Sequence, residues 1–598
     1  MRSADTVLGV IRERGRRGVP LDDLYRQLYN PDLYLCAYAR LYTNDGAMTP
    51  GTTNETVDAM SLAKITALID ALRHERYRWT PVRRTYVPKK NGTKLRPLGL
   101  PSWTDKLLQE VLRAILDAYY EPQFSTHSHG FRPGRGCHTA LTTVHQTWTG
   151  AKWYIEGDVA QCFDRIDHQV LLSILREKIL DQRFLRLVQT LLQAGYLEDW
   201  RYHATLSGTP QGSIVSPVLS NIYLDKLDTY VEQELLPAYT RGDERQKNHV
   251  YFALTTRAYK LRKKGRRTEA LALTKEAQKL PTIDPHDPAY RRLQYVRYAD
   301  DWLIGFAGPR EEAEEIKSRL STFLRDHLKL ELSQDKTLIT HGNTAAARFL
   351  GYEIVTHQND EKRDHLGHRT LNAHIGLRVP NDVIAKKRAL HMRAGKAICR
   401  PELLFDDDYT IVSQYQSAYR GLVQYYLLAQ NVAWLWRLHW VMQSSLLRTL
   451  AAKHRSSVKK MHRKYRTTIT TPYGSMRCLE VVVERKDKKP LVARFGGIPL
   501  RRQKEAVLID RDPPHHTYSR RNELITRLLA DACELCGSRQ DCEVHHIRKL
   551  ADLKRKGRAA KPTWMCVMAS RRRKTLVVCR SCHEAIHAGR PTRQRLSA

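Results

Sequence analysis

The stretch 293–308, LQYVRYADDWLIGFAG, constrains the fold more than any other part of the chain. Two runs rich in aromatic and β-branched residues flank Tyr298-Ala299-Asp300-Asp301, the pattern of a hairpin closed by a tight turn. Such a turn brings two carboxylates to one end of a sheet. A second strand pattern, AKWYIEGDVAQCFDRIDH (151–168), ends on Asp158 and places Phe163 five residues later. A third block, GTPQGSIVSPVLSNIYLDKLD (208–228), is a Gly/Pro/Gln loop leading into a helix, suited to close approach of a ligand. An isolated Asp-Asp pair is usually two solvated turn carboxylates. Three such blocks in this order favour a site for Mg²⁺, a hard cation that takes a few carboxylate oxygens together with water and substrate phosphates.

The rest of the chain predicts an α+β multidomain protein. Leu62, Ile65, Ile69 and Leu72 form one helical stripe, and Leu108, Val111, Leu112, Ile115 and Tyr119 form another. Between them TYVPKKNGTKLRPLGLP reads as a hairpin turning at Asn91-Gly92. Residues 236–292 read as a polar, basic insertion with helical character. Beyond about 375 the pattern is helical, and 451–530 carries 20 Lys/Arg against 7 Asp/Glu. The whole chain of 598 residues has a formal net charge of +37, which points to a polyanionic partner, most plausibly nucleic acid. No apolar run approaches the roughly 20 residues of a membrane span, and the N-terminus has no secretory pattern. The expectation is a protein that is not secreted and has no membrane partner, cytoplasmic and nucleoid-associated or organellar.

Six of the 11 cysteines fall in the last 66 residues. Cys533-Glu-Leu-Cys536 and Cys579-Arg-Ser-Cys582 are two CxxC knuckles, a spacing that suits a closed, structural Zn²⁺ site. Between and after them stand His545-His546 and His583…His587, the latter pair on one helical face.

The blocks YADD, FDRIDH, TPQGSIVSPVLSNIYL and RPLGLP resemble, in this order, the group II intron-encoded reverse transcriptase/maturase family. The resemblance extends over nearly the whole chain. It implies a right-hand polymerase with fingers and palm, a helical thumb or maturase bundle, a basic DNA-binding region and a small zinc-containing ββα-metal HNH module. By that pattern Asp158, Asp300 and Asp301 bind catalytic Mg²⁺, and Phe163 is the gate under the incoming sugar that favours dNTPs. Lys89 and Arg96 grip the triphosphate, with Lys90 and Lys94 as equally charged neighbours. Gln211 lies near the nascent base pair, and Lys336, in LELSQDKTLIT, protonates departing pyrophosphate. RFLGYEI (348–354) resembles the strands that seat the primer grip.

In the C-terminal module the resemblance makes Cys533, Cys536, Cys579 and Cys582 zinc ligands and His545, His583 and His587 ligands of a second metal. His546 becomes the general base, although KTLVVC stands where many HNH enzymes carry an orienting Asn. The competing reading of the histidines is a zinc ribbon that binds DNA without cutting it. The implied domains are 1–80 (N-terminal extension), 81–375 (fingers and palm), 376–470 (thumb/maturase), 471–525 (DNA binding) and 526–598 (HNH). The implied partners are intron RNA in a lariat ribonucleoprotein, target double-stranded DNA and dNTPs. The implied activities are RNA-directed DNA synthesis, splicing assistance and DNA cleavage in target-primed reverse transcription. The alternative is a splicing-only maturase whose catalysis has decayed.

Overall fold

The computed structural model describes residues 2–88, 95–199, 201–205, 207–208, 212–284, 287–333, 335–359, 361–365, 370–485, 488–511, 522–553 and 561–592. Its centre is a four-stranded antiparallel sheet in the order Arg292–Tyr298, Asp301–Ala307, Trp153–Asp158, Ile339–His341. The hairpin predicted around Asp300 and Asp301 is present, with Tyr298 paired to Asp301 across the turn. Its strands are fully apolar where they are central, with Trp302, Leu303, Ile304 and Phe306 all buried, as a strand covered on both faces requires. The helices Trp103–Tyr120 and Ser216–Tyr230 and the helix Arg310–Leu328 contribute Leu108, Val111, Leu219, Leu224, Ile316 and Leu320 to the same core.

Both helical stripes read from the sequence are buried as predicted, apart from Leu62, which is half-buried. Ser61 and Ser102 cap these helices, their side chains accepting from Lys64 N and Asp105 N. The strands Val82–Pro88 and Leu95–Leu100 pair antiparallel up to Pro88 opposite Leu95. The turn expected at Asn91-Gly92 lies outside the described residues. Among the described residues the insertion holds the helices His249–Lys263 and Arg267–Ala277 after the short turn Leu236–Ala238, and most of its side chains face solvent.

The helices Asp408–Tyr425, Trp436–Lys453 and Val458–Tyr465 surround a second core. Tyr415, Tyr419 and Tyr426 are buried in it, so these rings are packing groups. Lys453 holds Asp408 at 2.7 Å. Exposed aromatics of this region include Phe405, Trp434, Trp436 and Trp440. The basic stretch that follows forms a three-stranded antiparallel sheet, Arg466–Thr471, Gly474–Arg485 and Lys488–Gly496. Leu479, Val481, Ala493 and Phe495 bury against the helices. The boundary expected at 470/471 therefore cuts a strand, and this sheet belongs to the helical unit.

The C-terminal module is not self-contained. Its hairpin, Cys542–His546 with Thr575–Cys579, gains a third strand from Met60–Ser61, with Met60 opposite Val544. Val544, Leu576 and Leu528 join Met60 and Trp103 in one continuous apolar cluster. Among the described residues no helix is long and apolar enough to cross a membrane.

Candidate functional sites

Asp158 ends the central strand and lies directly opposite Asp301, with Asp300 in the adjoining turn. Sheet geometry alone thus gathers three carboxylates from two strands. Lys336 Nζ donates to Asp158 Oδ2 at 2.7 Å. Burial, reinforced by the charges of Asp300 and Asp158, pushes the Asp301 carboxyl up to about 7. Burial raises Asp300 as well, against the opposing charges of Arg96 and Lys336. Anions crowded this way retain protons unless a cation joins them. All the donors are hard oxygens, the donor chemistry of a divalent metal of the magnesium class.

The turn is held by groups that carry no catalytic signature. Ala299 adopts a left-handed conformation at φ 56°. Arg297, fully buried, pairs with buried Asp228 at 2.5 Å and donates to the Ala299 carbonyl at 2.9 Å, to Asn221 Oδ1 and to Ser128 Oγ. Gly130 lies so close beneath the turn that a Cβ there would come within 2.4 Å of Ala299 N. Asn221 and Asp228 sit inside the NIYLDKLD run already singled out, but their pairing with Arg297 is purely tertiary. Residues 508–511 also return to this end of the sheet. Asp510 accepts from Tyr298 OH at 2.8 Å and from Phe131 N at 3.1 Å.

Phe163 lies in the short helix Cys162–Arg165, half-buried and 6.4 Å edge-on from Phe131. Gly212, at φ 101°, packs on Gly99 and Leu98, and a Cβ would approach the Gly99 carbonyl to 2.6 Å. The loop thus abuts the strand that carries Arg96. Lys89 and Gln211 fall outside the described residues. Of the predicted polymerase residues, the structure brings together Asp158, Asp300, Asp301 and Lys336, with the Arg96 charge reaching Asp300.

In the C-terminal module the four sulfurs of Cys533, Cys536, Cys579 and Cys582 lie within 4.8 Å of one another. Cys536 and Cys579 are 3.7 Å apart, close to the roughly 3.8 Å edge of a tetrahedron with 2.3 Å metal–sulfur bonds. The set fits one tetrahedral metal. Cys542 donates to the Ser538 carbonyl and Cys566 is exposed; neither joins the cluster.

The predicted histidine ligands converge at the other end of the hairpin. Strand alternation puts Glu543 and His545 on the face toward the helix Arg580–His587, which carries His583 and His587 one turn apart. His583 Nε2 is 3.1 Å from His545 Nδ1 and from His587 Nε2. Glu543 accepts from His583 Nδ1 at 2.6 Å, which turns Nε2 into the cluster. Asp58, from the N-terminal region, is the fourth member of the group. Burial lowers the His583 imidazole, but hydrogen bonds to Asp58 and Glu543 outweigh it and raise it to about 9. Burial works to raise Asp58, yet His583 and the His546 N–H hold it well below the usual carboxylate range.

His546 takes the opposite face of the strand. Its Nε2 meets Tyr38 OH at 2.9 Å, and burial lowers the imidazole to about 3. Thr575, its cross-strand partner, stands in KTLVVC and accepts from Arg527 at 2.8 Å. His546 also lines a cleft of about 760 Å³, together with Arg527, Arg548, Lys549, Arg573 and Lys574 and with the carboxylates of Asp45 and Glu523. Sequence reasoning missed Asp58 because no local pattern marks it. Glu543 was legible only as a carboxylate two residues before His545.

Comparison with known proteins agrees with this geometry. Residues 87–354 match the family model described as reverse transcriptase (RNA-dependent DNA polymerase). Residues 378–487 match type II intron maturase, and 533–583 match the AI2M/AI1M-like HNH endonuclease. The chain is 38% identical over 587 residues to the group II intron-encoded protein LtrA of Lactococcus lactis, covering 94% of this chain and 95% of that one. It is 34% identical to an uncharacterized 91 kDa protein in the cob intron of Schizosaccharomyces pombe, covering 95% of this chain and 70% of that one. The putative COX1/OXI3 intron 1 protein of Saccharomyces cerevisiae is 32% identical, with 95% and 69% covered. The chain, with its acidic sheet end, maturase unit and histidine-bearing module, belongs to the group II intron-encoded proteins and joins a reverse transcriptase, an intron maturase and an HNH endonuclease in one polypeptide.

Proposed function

We propose that the protein copies its intron RNA from a nicked DNA target, in a right-hand polymerase whose palm is the central sheet. The pairing of Asp158 with Asp301 carries this reading. Asp158, Asp300 and Asp301 hold Mg²⁺, which when bound activates the primer 3′-hydroxyl and neutralises the triphosphate. Arg96, with Lys89, binds the triphosphate as a bidentate phosphate donor. The family pattern assigns Gln211 to the nascent pair, and Lys336, near Asp158, delivers a proton to pyrophosphate. Primer extension on an RNA template with dNTPs tests the proposal. Mg²⁺-dependent cDNA is the expected product, and its absence from the wild type favours the splicing-only alternative.

Phe163 is the sugar gate in this scheme. Phe163→Ala is expected to raise rNTP relative to dNTP incorporation by roughly 10–200-fold, the range for one apolar contact in a pocket. Competition between the two nucleotide classes in single-turnover extension measures it.

The four cysteines hold a structural Zn²⁺, and His545, His583 and His587 hold the nuclease metal. His546 is the general base, reached by target-DNA phosphate through the basic cleft, and must exchange its Tyr38 hydrogen bond for water to act. Removing Zn²⁺ with a chelator, or making Cys579→Ser, is expected to unfold the 533–587 module, since structural zinc supplies folding energy on the order of 10 kcal/mol. Limited proteolysis checks it: new cuts appear in 533–587 only after zinc is lost. The maturase helices and the 466–496 sheet, within the region from 376 to 525, bind intron RNA of the lariat ribonucleoprotein and target DNA. Exposed Trp434, Trp436 and Trp440 provide stacking surfaces there.

A further inference from the structure

The nuclease cluster draws its donors from both ends of the chain. Asp58 Oδ2 is 2.8 Å from His587 Nε2, and Oδ1 is 3.3 Å from His583 Nε2 and 3.6 Å from His545 Nδ1. With the 3.1 Å separations among the imidazoles, every donor lies near the distance expected between adjacent ligands on one cation. For bonds of roughly 2.0–2.2 Å that distance is about 3.0–3.4 Å.

The carboxylate is also built into place. Ala59 N donates to the Val544 carbonyl at 3.0 Å, and Met60 and Ser61 pair with Val544 and Glu543. Oδ1 accepts from His546 N at 2.7 Å, and Asp58 N donates to Thr56 Oγ1. Ala59 turns through φ 59° to join these contacts, and Val57 is fully buried. Strand addition therefore fixes the backbone that follows Asp58 against the module, while Val57 N donates to the Ala47 carbonyl on the other side. The side chain is left facing three ring nitrogens.

We propose that Asp58 is the fourth protein ligand of the HNH metal, so that the N-terminal region completes the nuclease centre. This rests on the assignment of His545, His583 and His587 as ligands. Three imidazoles and a carboxylate form a borderline donor set for a first-row divalent cation. In a six-coordinate ion they leave two positions for water and a DNA phosphate oxygen. Metal binding is then linked to docking of the N-terminal region, each favouring the other by mass action.

Mn²⁺ binding to the full-length, zinc-loaded protein, followed by electron paramagnetic resonance, tests the assignment. An Asp158→Asn/Asp300→Asn background removes the polymerase metals from the titration. Asp58→Asn keeps Oδ1 as an acceptor for the His546 N–H, so the strand contact survives. It is expected to weaken Mn²⁺ binding roughly 10–100-fold, at least the effect of losing an outer-shell partner, with zinc content unchanged. Should Asp58→Asn lose zinc, Asp58→Ser, smaller and still an acceptor, is read by the same criterion. His587→Asn is the reference. If it loses Mn²⁺ while the Asp58 variant binds like the wild type, the Asp58 assignment is overturned and the three-histidine site stands. If neither loses Mn²⁺, the nuclease metal site itself is misassigned.

Discussion

Asp301→Asn lowers RNA-templated primer extension by roughly 10³-fold, about 4 kcal/mol of transition-state stabilisation, without lowering the thermal midpoint. The two readouts separate because the proposed metal-binding role sets the carboxylate against the fold. Burial and the neighbouring charges of Asp300 and Asp158 push Asp301 up to about 7, so the ionised form is disfavoured in the metal-free protein. Asparagine keeps the volume and removes the repulsion, so stability holds or rises. It also removes one anionic oxygen from a three-carboxylate site that has no spare donor opposite Asp158. Single-turnover extension at saturating dNTP, paired with thermal unfolding, measures both. A fall in activity accompanied by a fall in midpoint would assign Asp301 to structure instead.

Asp228→Ala destabilises the central sheet by about 3–5 kcal/mol, the cost of leaving a buried guanidinium without its counter-charge. Both side chains are fully buried, so water cannot take over the lost role. Tyr295 OH, which donates to Asp228 at 2.8 Å, is orphaned by the same change. The double variant Arg297→Met/Asp228→Leu is expected to recover much of that stability, because an apolar pair removes the uncompensated charge. It is not expected to recover activity, because Arg297 also holds the Ala299 carbonyl under the Asp300-Asp301 turn. Urea unfolding of the single and double variants, with extension assays on the same samples, checks the pair. Equal loss in both variants would mean that the charge pairing is not the source of the stability.

What was legible in the sequence follows from how local the causes are. Asp300 and Asp301 could be placed because β-rich runs on both sides of a tight turn leave few choices of geometry. The cysteine knuckles were legible because a tetrahedral site needs pairs of short-range ligands. Arg297 was not, since a cation inside an apolar strand gains meaning only from Asp228 on a helix. The 466–496 sheet was hidden because exposed Val482, Val483 and Val492 break the alternation that Leu479, Val481 and Phe495 carry on the inner face. Asp58 carries no mark at all, because its partners stand almost a whole chain away.

That separation bears on biosynthesis. Asp58 and His546 are 488 positions apart, and closing a loop of that length carries an entropic penalty of about 5 kcal/mol. At translation rates of 5–20 residues per second, the N-terminal strand waits roughly 25–100 s for its partner to be made. Until then Met60 and Ser61 lack the strand they pair with. The fold therefore completes the Cys542–His546 hairpin with a strand from the N-terminal region, so the third strand of the module is laid down only after both segments exist.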